Sequence, residues 1–113
     1  MNLKPGEVWL ADLGLAAKTR PIVIVSRYDP NPPRALVVYV PLTTQNRGSL
    51  YEIILPKLRF LERDSIANVQ GLGSIPTARL VRKLGKLSDE VMLKIKQAIL
   101  FALDLESDIQ HND

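Results

Sequence analysis

Residues 21–42 read PIVIVSRYDPNPPRALVVYVPL and contain the two runs that decide the fold class. The first run, PIVIVS at 21–26, is short and β-branched, which is typical of a buried strand. We place its proline at the first strand position, because proline has no backbone N–H to donate. The second run, ALVVYVPL at 35–42, predicts a central strand that ends near Pro41. Three prolines between the runs, at 28–34, require a loop.

Further short strands are predicted on both sides of this segment. They are apolar and β-branched runs bounded by glycine, proline or polar turn residues, and they lie at residues 7–13, 50–55, 65–69 and 77–85. Residues 14–19, GLAAKT, predict a loop after the first of them, and residues 57–63 fit either a helical turn or a loop. Up to residue 85 the chain therefore predicts an all-β arrangement.

The last predicted element is a helix over residues 88–105. Ser88 suits its N-cap, and Asp89 and Glu90 fall in the first turn, where the helix dipole favours acids. Apolar residues at helical spacing predict the face that packs on the sheet: Val91, Ile95, Ala98, Ile99, Ala102 and Leu103. Short strands followed by one helix predict a mainly β fold, a small barrel or strongly bent sheet with a C-terminal α-helix.

Length and charge suit one basic domain. The 113 residues, 46% of them hydrophobic, are enough for a single substantial core. Positions 104–113 hold four acids and no lysine or arginine. We therefore predict one domain over residues 1–105 and an acidic tail over 106–113 whose composition is compatible with disorder. Residues 1–103 hold 15 basic and 8 acidic side chains, which fits either a solvated basic surface or a nucleic-acid partner.

Composition excludes several kinds of site. Without cysteine, the chain can form no disulfide, no thiolate metal site and no cysteine nucleophile. The one histidine, His111, is third from the chain end, which argues against a histidine-based catalytic or zinc site. The longest apolar runs, at 35–40 and 98–103, fall far short of the ~20 residues of a membrane helix. We expect no metal, no cofactor, no membrane span and a cytoplasmic location.

Five segments in order resemble the MazF/PemK family of toxin endoribonucleases. They are GEVWLADL (6–13), TRPIVIVS (19–26), VPLTTQNRG (40–48), ERDSIANVQ (62–70) and KLSDEVMLKIKQAI (86–99). Together they span nearly the whole chain apart from the acidic tail. The resemblance implies a compact SH3-like barrel that forms a homodimer. It also implies sequence-selective, metal-independent cleavage of single-stranded RNA such as mRNA, growth inhibition, and neutralisation by a cognate antitoxin.

The resemblance assigns catalysis to an arginine in an RP motif and a threonine in a T-x-Q motif, which are Arg20 and Thr43 here. It also implies RNA contacts from nearby polar residues, namely Lys18, Thr19, Thr44, Gln45, Arg47 and Gln70. A guanidinium offers a planar fork of donors to phosphate oxygens, and a hydroxyl can donate to the same phosphate. We expect Arg20 just before a strand and Thr43 just after one, where a threonine is also typical of turn capping.

Two questions stay open in the sequence. Neither catalytic candidate is a good general base at neutral pH, so the proton of the ribose 2′-OH could pass to Asp12, Glu7 or water. The loop at 14–19 is shorter than in many family members and has no acid, and Val69 stands where many of them carry an acid. These departures leave an alternative open: a non-catalytic RNA- or protein-binding toxin-like module on the same barrel, similar to the gyrase-inhibiting toxins.

Overall fold

The structure, a computed structural model, describes residues 2–14 and 19–106. Over these residues it contains seven strands, two 3-10 turns and one α-helix. In chain order the elements are β1 (Glu7–Asp12), β2 (Thr19–Ile24), β3 (Leu36–Thr43), β4 (Glu52–Ile54), β5 (Ile66–Asn68), a 3-10 turn (Val69–Gly71), β6 (Gly73–Pro76), a 3-10 turn (Thr77–Arg79), β7 (Leu80–Lys86) and α1 (Asp89–Ala102). The prediction of a mainly β fold with one C-terminal helix is confirmed.

β3 is the centre of the sheet because three strands pair with different parts of it. All three pairings are antiparallel: β6 pairs with residues 36–39, β2 with residues 39–41 and β5 with residues 42–43. The strand order is β4–β5–β3–β2–β1–β7, with β6 attached to β3. No ladder joins β4 to β7 within the described residues, so the sheet is barrel-like but not closed.

Two strand boundaries differ from the prediction, and both differences place a proline inside a strand. β2 begins at Thr19, so Pro21 is its third residue, and β3 continues past Pro41 to Thr43. At Pro21, β2 pairs with β1 alone, since its pairing with β3 starts one residue later. The missing N–H therefore falls where the strand has one paired neighbour. As a result, both predicted catalytic residues lie within strands rather than beside them.

The sheet is covered on both faces. α1 and one face of the sheet form the main core, whose buried members include Val8, Val23, Val40, Leu42, Val91, Met92, Ile95 and Ala98. A smaller cluster lies on the other face and comprises Leu3, Ala11, Ile22, Ile24, Val37, Ile75 and Leu80. Because successive residues of β2 alternate between the two clusters, this strand is buried on both sides over its second half.

Both ends of α1 are fixed by hydrogen bonds. The Ser88 hydroxyl oxygen accepts the backbone N–H three residues on at 3.2 Å, which confirms the predicted N-cap. The helix ends at Ala102, earlier than predicted, because Asp104 adopts φ +57° and the N–H groups of Asp104 and Leu105 bond back to carbonyls of the last turn. Leu103, predicted on the packed face, is 51% exposed, so that assignment is wrong.

The sequence reading missed β6. This strand, Gly73–Pro76, starts with glycine and ends with proline, so it lacks the β-branched run that marks a strand. It forms because it pairs with residues 36–39 of β3. The strand predicted at 77–85 is also corrected, since a 3-10 turn occupies residues 77–79 and β7 begins at Leu80.

The described part of the chain contains no helix that is long and apolar enough to cross a membrane. Residues 107–113, which form most of the predicted acidic tail, lie outside the described residues. The division into a domain over residues 1–105 and a tail therefore stays a prediction.

Candidate active-site cleft

Arg20 and Thr43 lie at one level of two neighbouring strands. The β2–β3 ladder ends at the pair Ile22–Pro41, and Arg20 and Thr43 are two residues further along their respective strands. Side chains two residues apart share a face of a strand, so both project from the face of Ile22 and Pro41. The backbone register thus brings together the RP arginine and the T-x-Q threonine.

Both side chains line one open cleft of about 450 Å³, which we call the Arg20 cleft. Its remaining lining residues come from the ends of β2 and β3 and from nearby loops: Leu13, Pro21, Pro41, Leu42, Thr44, Gln45 and Ser65. Two of the predicted RNA contacts, Thr44 and Gln45, are therefore in the same cleft as the catalytic candidates. None of the described residues that line it is acidic, so these residues do not repel a phosphate.

The charge of Arg20 is unshared within the described residues. Its side chain is exposed, and no carboxylate oxygen of residues 2–14 or 19–106 lies within 4 Å of its guanidinium. The two ion pairs that the described chain forms use Arg79 and Lys83 instead. The Arg20 fork is therefore available to a ligand.

The half-buried Thr43 hydroxyl has one fixed partner. Its Oγ1 accepts the backbone N–H of Gln45 at 3.2 Å, which closes the turn that follows β3. A hydroxyl has one proton to donate besides its acceptor lone pairs. Thr43 can therefore hold the turn and donate a hydrogen bond into the cleft at the same time.

A second concavity of about 440 Å³, the Gln70 recess, adjoins the cleft and shares Thr43 and Gln45 with it. Its other lining residues are Arg47, Ser49, Tyr51, Glu52, Asn68 and Gln70. The Asn68 side chain accepts the Gln70 backbone N–H at 3.2 Å and starts the 3-10 turn that presents Gln70. The predicted contacts Arg47 and Gln70, far apart in sequence, thus lie around one recess.

Glu52 organises the loop between β3 and β4. Its carboxylate accepts the hydroxyl of Ser49 at 2.7 Å and the backbone N–H groups of Arg47 and Ser49, each at 3.0 Å. The Ser49 hydroxyl, followed by these N–H groups, lowers the pKa of Glu52 below its usual range. In the same loop, Asn46 Oδ1 accepts the N–H of Gly48, whose φ of +69° makes the turn. The loop that carries Arg47 is therefore held in a defined shape.

Glu7, one of the two acids that could accept the 2′-OH proton, is buried. Its side chain is 8% exposed, accepts the Trp9 indole N–H at 3.1 Å, and lies 3.4 Å from the Lys83 ammonium. Arg20 pairs with Ala11, and Ala11 is four residues further along β1 than Glu7. The backbone positions of Glu7 and Ala11 are therefore roughly 13 Å apart. Glu7 is therefore a structural group and does not reach the cleft.

Asp12 is closer to the cleft but has other partners. It pairs with Thr19, and alternation along β1 directs its side chain to the face opposite that of Arg20. Its Oδ1 accepts the Gly14 N–H at 2.9 Å and lies 3.9 Å from Arg79 Nη1. Asp12 thus holds Gly14 and contacts Arg79, and it does not line the Arg20 cleft.

Two predicted RNA contacts are not placed around these concavities. Thr19 is exposed beside Asp12 and lines neither the cleft nor the Gln70 recess. Lys18 lies outside the described residues.

Three residues around the concavities were not predicted from the sequence: Ser65, Asn68 and Glu52. Asn68 carried a local signal, since asparagine two residues before a turn residue often accepts its N–H, whereas Ser65 is brought in by the sheet alone.

Comparison with known proteins gives consistent results. The sequence profile of the family described as PemK-like, MazF-like toxin of type II toxin–antitoxin system matches residues 4–103. The probable endoribonuclease MazF5 of Mycobacterium tuberculosis is 34% identical over 100 residues, which cover 88% of this chain and 91% of that protein. Endoribonuclease MazF9 of the same organism is 30% identical over 118 residues, with coverage of 93% and 99%.

Solved structures show the same likeness in three dimensions. A mycobacterial endoribonuclease in complex with its cognate antitoxin superimposes with a TM-score of 0.79 at 29% sequence identity. The superposition covers 90% of this chain and 95% of that chain. The described fold is therefore shared over nearly its whole extent.

Proposed function

Because the chain belongs to the PemK-like, MazF-like toxins of type II toxin–antitoxin systems, we propose that it is an endoribonuclease that cleaves single-stranded RNA in the Arg20 cleft. The observation that carries the proposal is the strand register that sets Arg20 and Thr43 side by side in an open cleft. Two relatives that match over nearly their whole length are named endoribonucleases, which supports the same activity here.

The reaction uses the RNA's own nucleophile. The ribose 2′-oxygen attacks the adjacent phosphorus, the new O2′–P bond forms, and the P–O5′ bond breaks. The products are a 2′,3′-cyclic phosphate and a 5′-hydroxyl end. Arg20 offers its donor fork to the non-bridging oxygens as negative charge accumulates on them, and the Thr43 hydroxyl donates a hydrogen bond to the same group while keeping its proton. The positive charge at the phosphate comes from Arg20, and no metal ion takes part.

The 2′-OH proton passes to water in this proposal. Glu7 is engaged in a buried network far along β1, and Asp12 projects from the opposite face of the sheet. Glu52 lines the neighbouring recess, but its lowered pKa makes it a weak base. Water also returns a proton to the 5′-oxygen that leaves, so protons balance.

Sequence selectivity comes from amides beside the cleft. Gln45 and Gln70, with Asn68, present side chains that hydrogen-bond base edges, and unpaired bases of single-stranded RNA expose those edges. Thr44 and Arg47 contact the backbone in this proposal. Contacts by Lys18 and Thr19 rest on the family resemblance alone.

We extend the proposal to the protein's partners. The solved relative bound to its cognate antitoxin supports an antitoxin for this chain as well, and a basic cleft suits an acidic antitoxin segment that competes with RNA. A homodimer is supported by exposed apolar side chains that a partner would cover, among them Leu50, Ile54 and Leu93. We place the activity in the cytoplasm, where mRNA is available.

The test is cleavage of a long mixed-sequence single-stranded RNA in the presence of a metal chelator. The parent protein should cut it and leave 2′,3′-cyclic phosphate ends, and Arg20→Ala should lower the rate by at least ~100-fold. Arg34→Ala removes an equally exposed arginine outside the cleft and should cut like the parent. Cleavage by Arg20→Ala at the parental rate, or binding without cleavage by the parent, would contradict the proposal.

A further inference from the structure

A third concavity, the Arg82 recess, adjoins the Arg20 cleft. It has a volume of about 390 Å³ and shares Pro21, Thr44 and Ser65 with the cleft. The Gln70 recess shares other residues with the cleft and none with the Arg82 recess. The Arg20 cleft therefore adjoins both recesses and lies between them, and we call the three concavities together the track.

Two arginines from distant parts of the chain meet at the Arg82 recess. Arg63 belongs to the segment between β4 and β5, and Arg82 lies on β7. Leu10 of β1 pairs with both Pro21 and Arg82, so the register places Arg82 in the same row of the sheet as the proline next to Arg20. Alternation along the strands directs the Arg82 side chain to the face opposite that of Arg20, so the recess and the cleft meet at the strand ends. The recess is thus fixed relative to the cleft by backbone ladders.

The charge of the recess favours an anion. Arg63 and Arg82 are both exposed, and no carboxylate oxygen of the described residues lies within 4 Å of either guanidinium. Of the described lining residues only Glu62 is acidic, so together with the two arginines they carry a net charge of +1. Its two arginine forks match phosphate oxygens better than lysines would.

The floor of the recess is apolar. Its half-buried lining includes Leu10, Phe60 and Leu84, whereas the two arginines are exposed. The Phe60 ring lies so close to Gly85 that a Cβ there would overlap it, so the ring is packed on the β7 backbone. A nucleotide combines an anionic phosphate with a flat, weakly polar base face, and the recess offers a surface for each.

We propose that the Arg82 recess binds the RNA strand beyond the scissile phosphate, with Arg63 and Arg82 on its phosphodiester groups and a base on the apolar floor. This inference rests on the proposed function, because it extends the strand that the Arg20 cleft holds. An acidic polypeptide shares the negative charge, and its apolar side chains also suit the floor. The residues that the recess shares with the Arg20 cleft favour RNA, because a strand held at Arg20 and Thr43 extends past them.

The test measures binding of a mixed-sequence 12-nucleotide single-stranded DNA, which has no 2′-OH and so cannot undergo the proposed cleavage. The double variant Arg63→Gln/Arg82→Gln is compared with Arg27→Gln/Arg34→Gln, which removes two exposed arginines outside the track. Each phosphate contact on a single strand steepens the dependence of log affinity on log salt by about 0.7. Raising the salt from 50 to 200 mM lowers the affinity of every variant. If Arg63→Gln/Arg82→Gln has lost two contacts, this fold-decrease should be roughly 7-fold smaller for it than for Arg27→Gln/Arg34→Gln.

The outcomes separate the two proposals. Equal salt slopes for the two double variants, with thermal unfolding unchanged in both, overturn the recess proposal. Binding of polyglutamate is measured for the same variants. If Arg63→Gln/Arg82→Gln loses polyglutamate binding but keeps DNA binding, the recess binds an acidic polypeptide and the proposal is overturned. If Arg63→Gln/Arg82→Gln lowers the slope but the parent protein cuts no RNA, the recess stands as a nucleic-acid site and the proposed catalytic function fails.

Discussion

The hydroxyl oxygen of Thr43 accepts the Gln45 backbone N–H at the end of β3, and Thr43 lies two residues beyond the last β2–β3 pair, as Arg20 does on β2. Turn capping and catalysis are two roles that a threonine at this position can have, and the geometry allows both. The accepted N–H also orients the hydroxyl, since it occupies one lone pair and leaves the proton to point elsewhere. The turn that follows β3 thereby sets the direction of the hydroxyl that we propose as a catalytic donor.

Thr43→Val keeps the side-chain shape and removes the hydroxyl. We expect kcat to fall by about 100-fold, the usual cost of losing one transition-state donor. Thr43→Ser retains the hydroxyl and should stay within a few-fold of the parent protein. Single-turnover cleavage of an RNA with a fluorescent label at each end measures both rates. Equal rates for the two variants would show that the hydroxyl has only a structural role.

Glu52→Gln should weaken the β3–β4 loop in a pH-dependent way. The pKa of Glu52 is lowered in the folded protein, chiefly by the Ser49 hydroxyl, so the charged form stabilises the fold above the unfolded pKa of ~4.3. That stabilisation is lost as the pH falls through the folded value. The urea midpoint of Glu52→Gln should therefore lie below that of the parent at pH 7 and approach it at pH 3. A gap of the same size at both pH values would contradict this.

Glu7→Ala should destabilise the protein without affecting chemistry. The substitution removes the charged acceptor of the Trp9 indole and the partner of Lys83, which should lower the free energy of unfolding by about 2 kcal/mol. RNA cleavage at a temperature where the variant is folded should match the parent. Urea unfolding measures the loss of stability, and the cleavage assay measures the rate. A large loss of kcat in the folded variant would make Glu7 the missing proton acceptor.

Gly85→Ala should lower the free energy of unfolding by about 1–3 kcal/mol, because the new Cβ would overlap the Phe60 ring. Urea denaturation measures this loss. The matched test is the double variant Gly85→Ala/Phe60→Leu, in which the smaller side chain makes room. Its destabilisation should be less than the sum of the two single changes. Strict additivity would mean that the ring does not press on the β7 backbone.

Local signals in the sequence were sufficient to predict α1 and its first residue. The N-cap at Ser88 and the apolar spacing from Val91 act within one or two turns, so they can be read without knowing the rest of the fold. The C-terminal end was misplaced because Asp104 takes a conformation that usually indicates glycine. A cap formed by a non-glycine residue leaves little trace in the sequence.

Positions that depend on strand pairing could not be derived from local pattern. β6 exists through β3, and the prolines at 21 and 41 lie inside strands because neighbouring strands satisfy the remaining backbone groups. Arg20 and Thr43 were identified by family resemblance, and that they share one level of the sheet follows only from the register. Arg82 lies in none of the five family segments, and Arg63 lies in one of them without an assigned role. Their meeting could not be predicted, since β7 and the segment before β5 meet only in the folded molecule.

The β2–β3 register has a consequence for control. The ladder sets the backbone positions of Arg20 and Thr43, so both residues stand at the cleft once the sheet has folded. Under the proposed function, folding itself builds the site and therefore does not hold it inactive. Restraint would then come from another molecule that occupies the Arg20 cleft, and it would last only as long as that molecule stays bound.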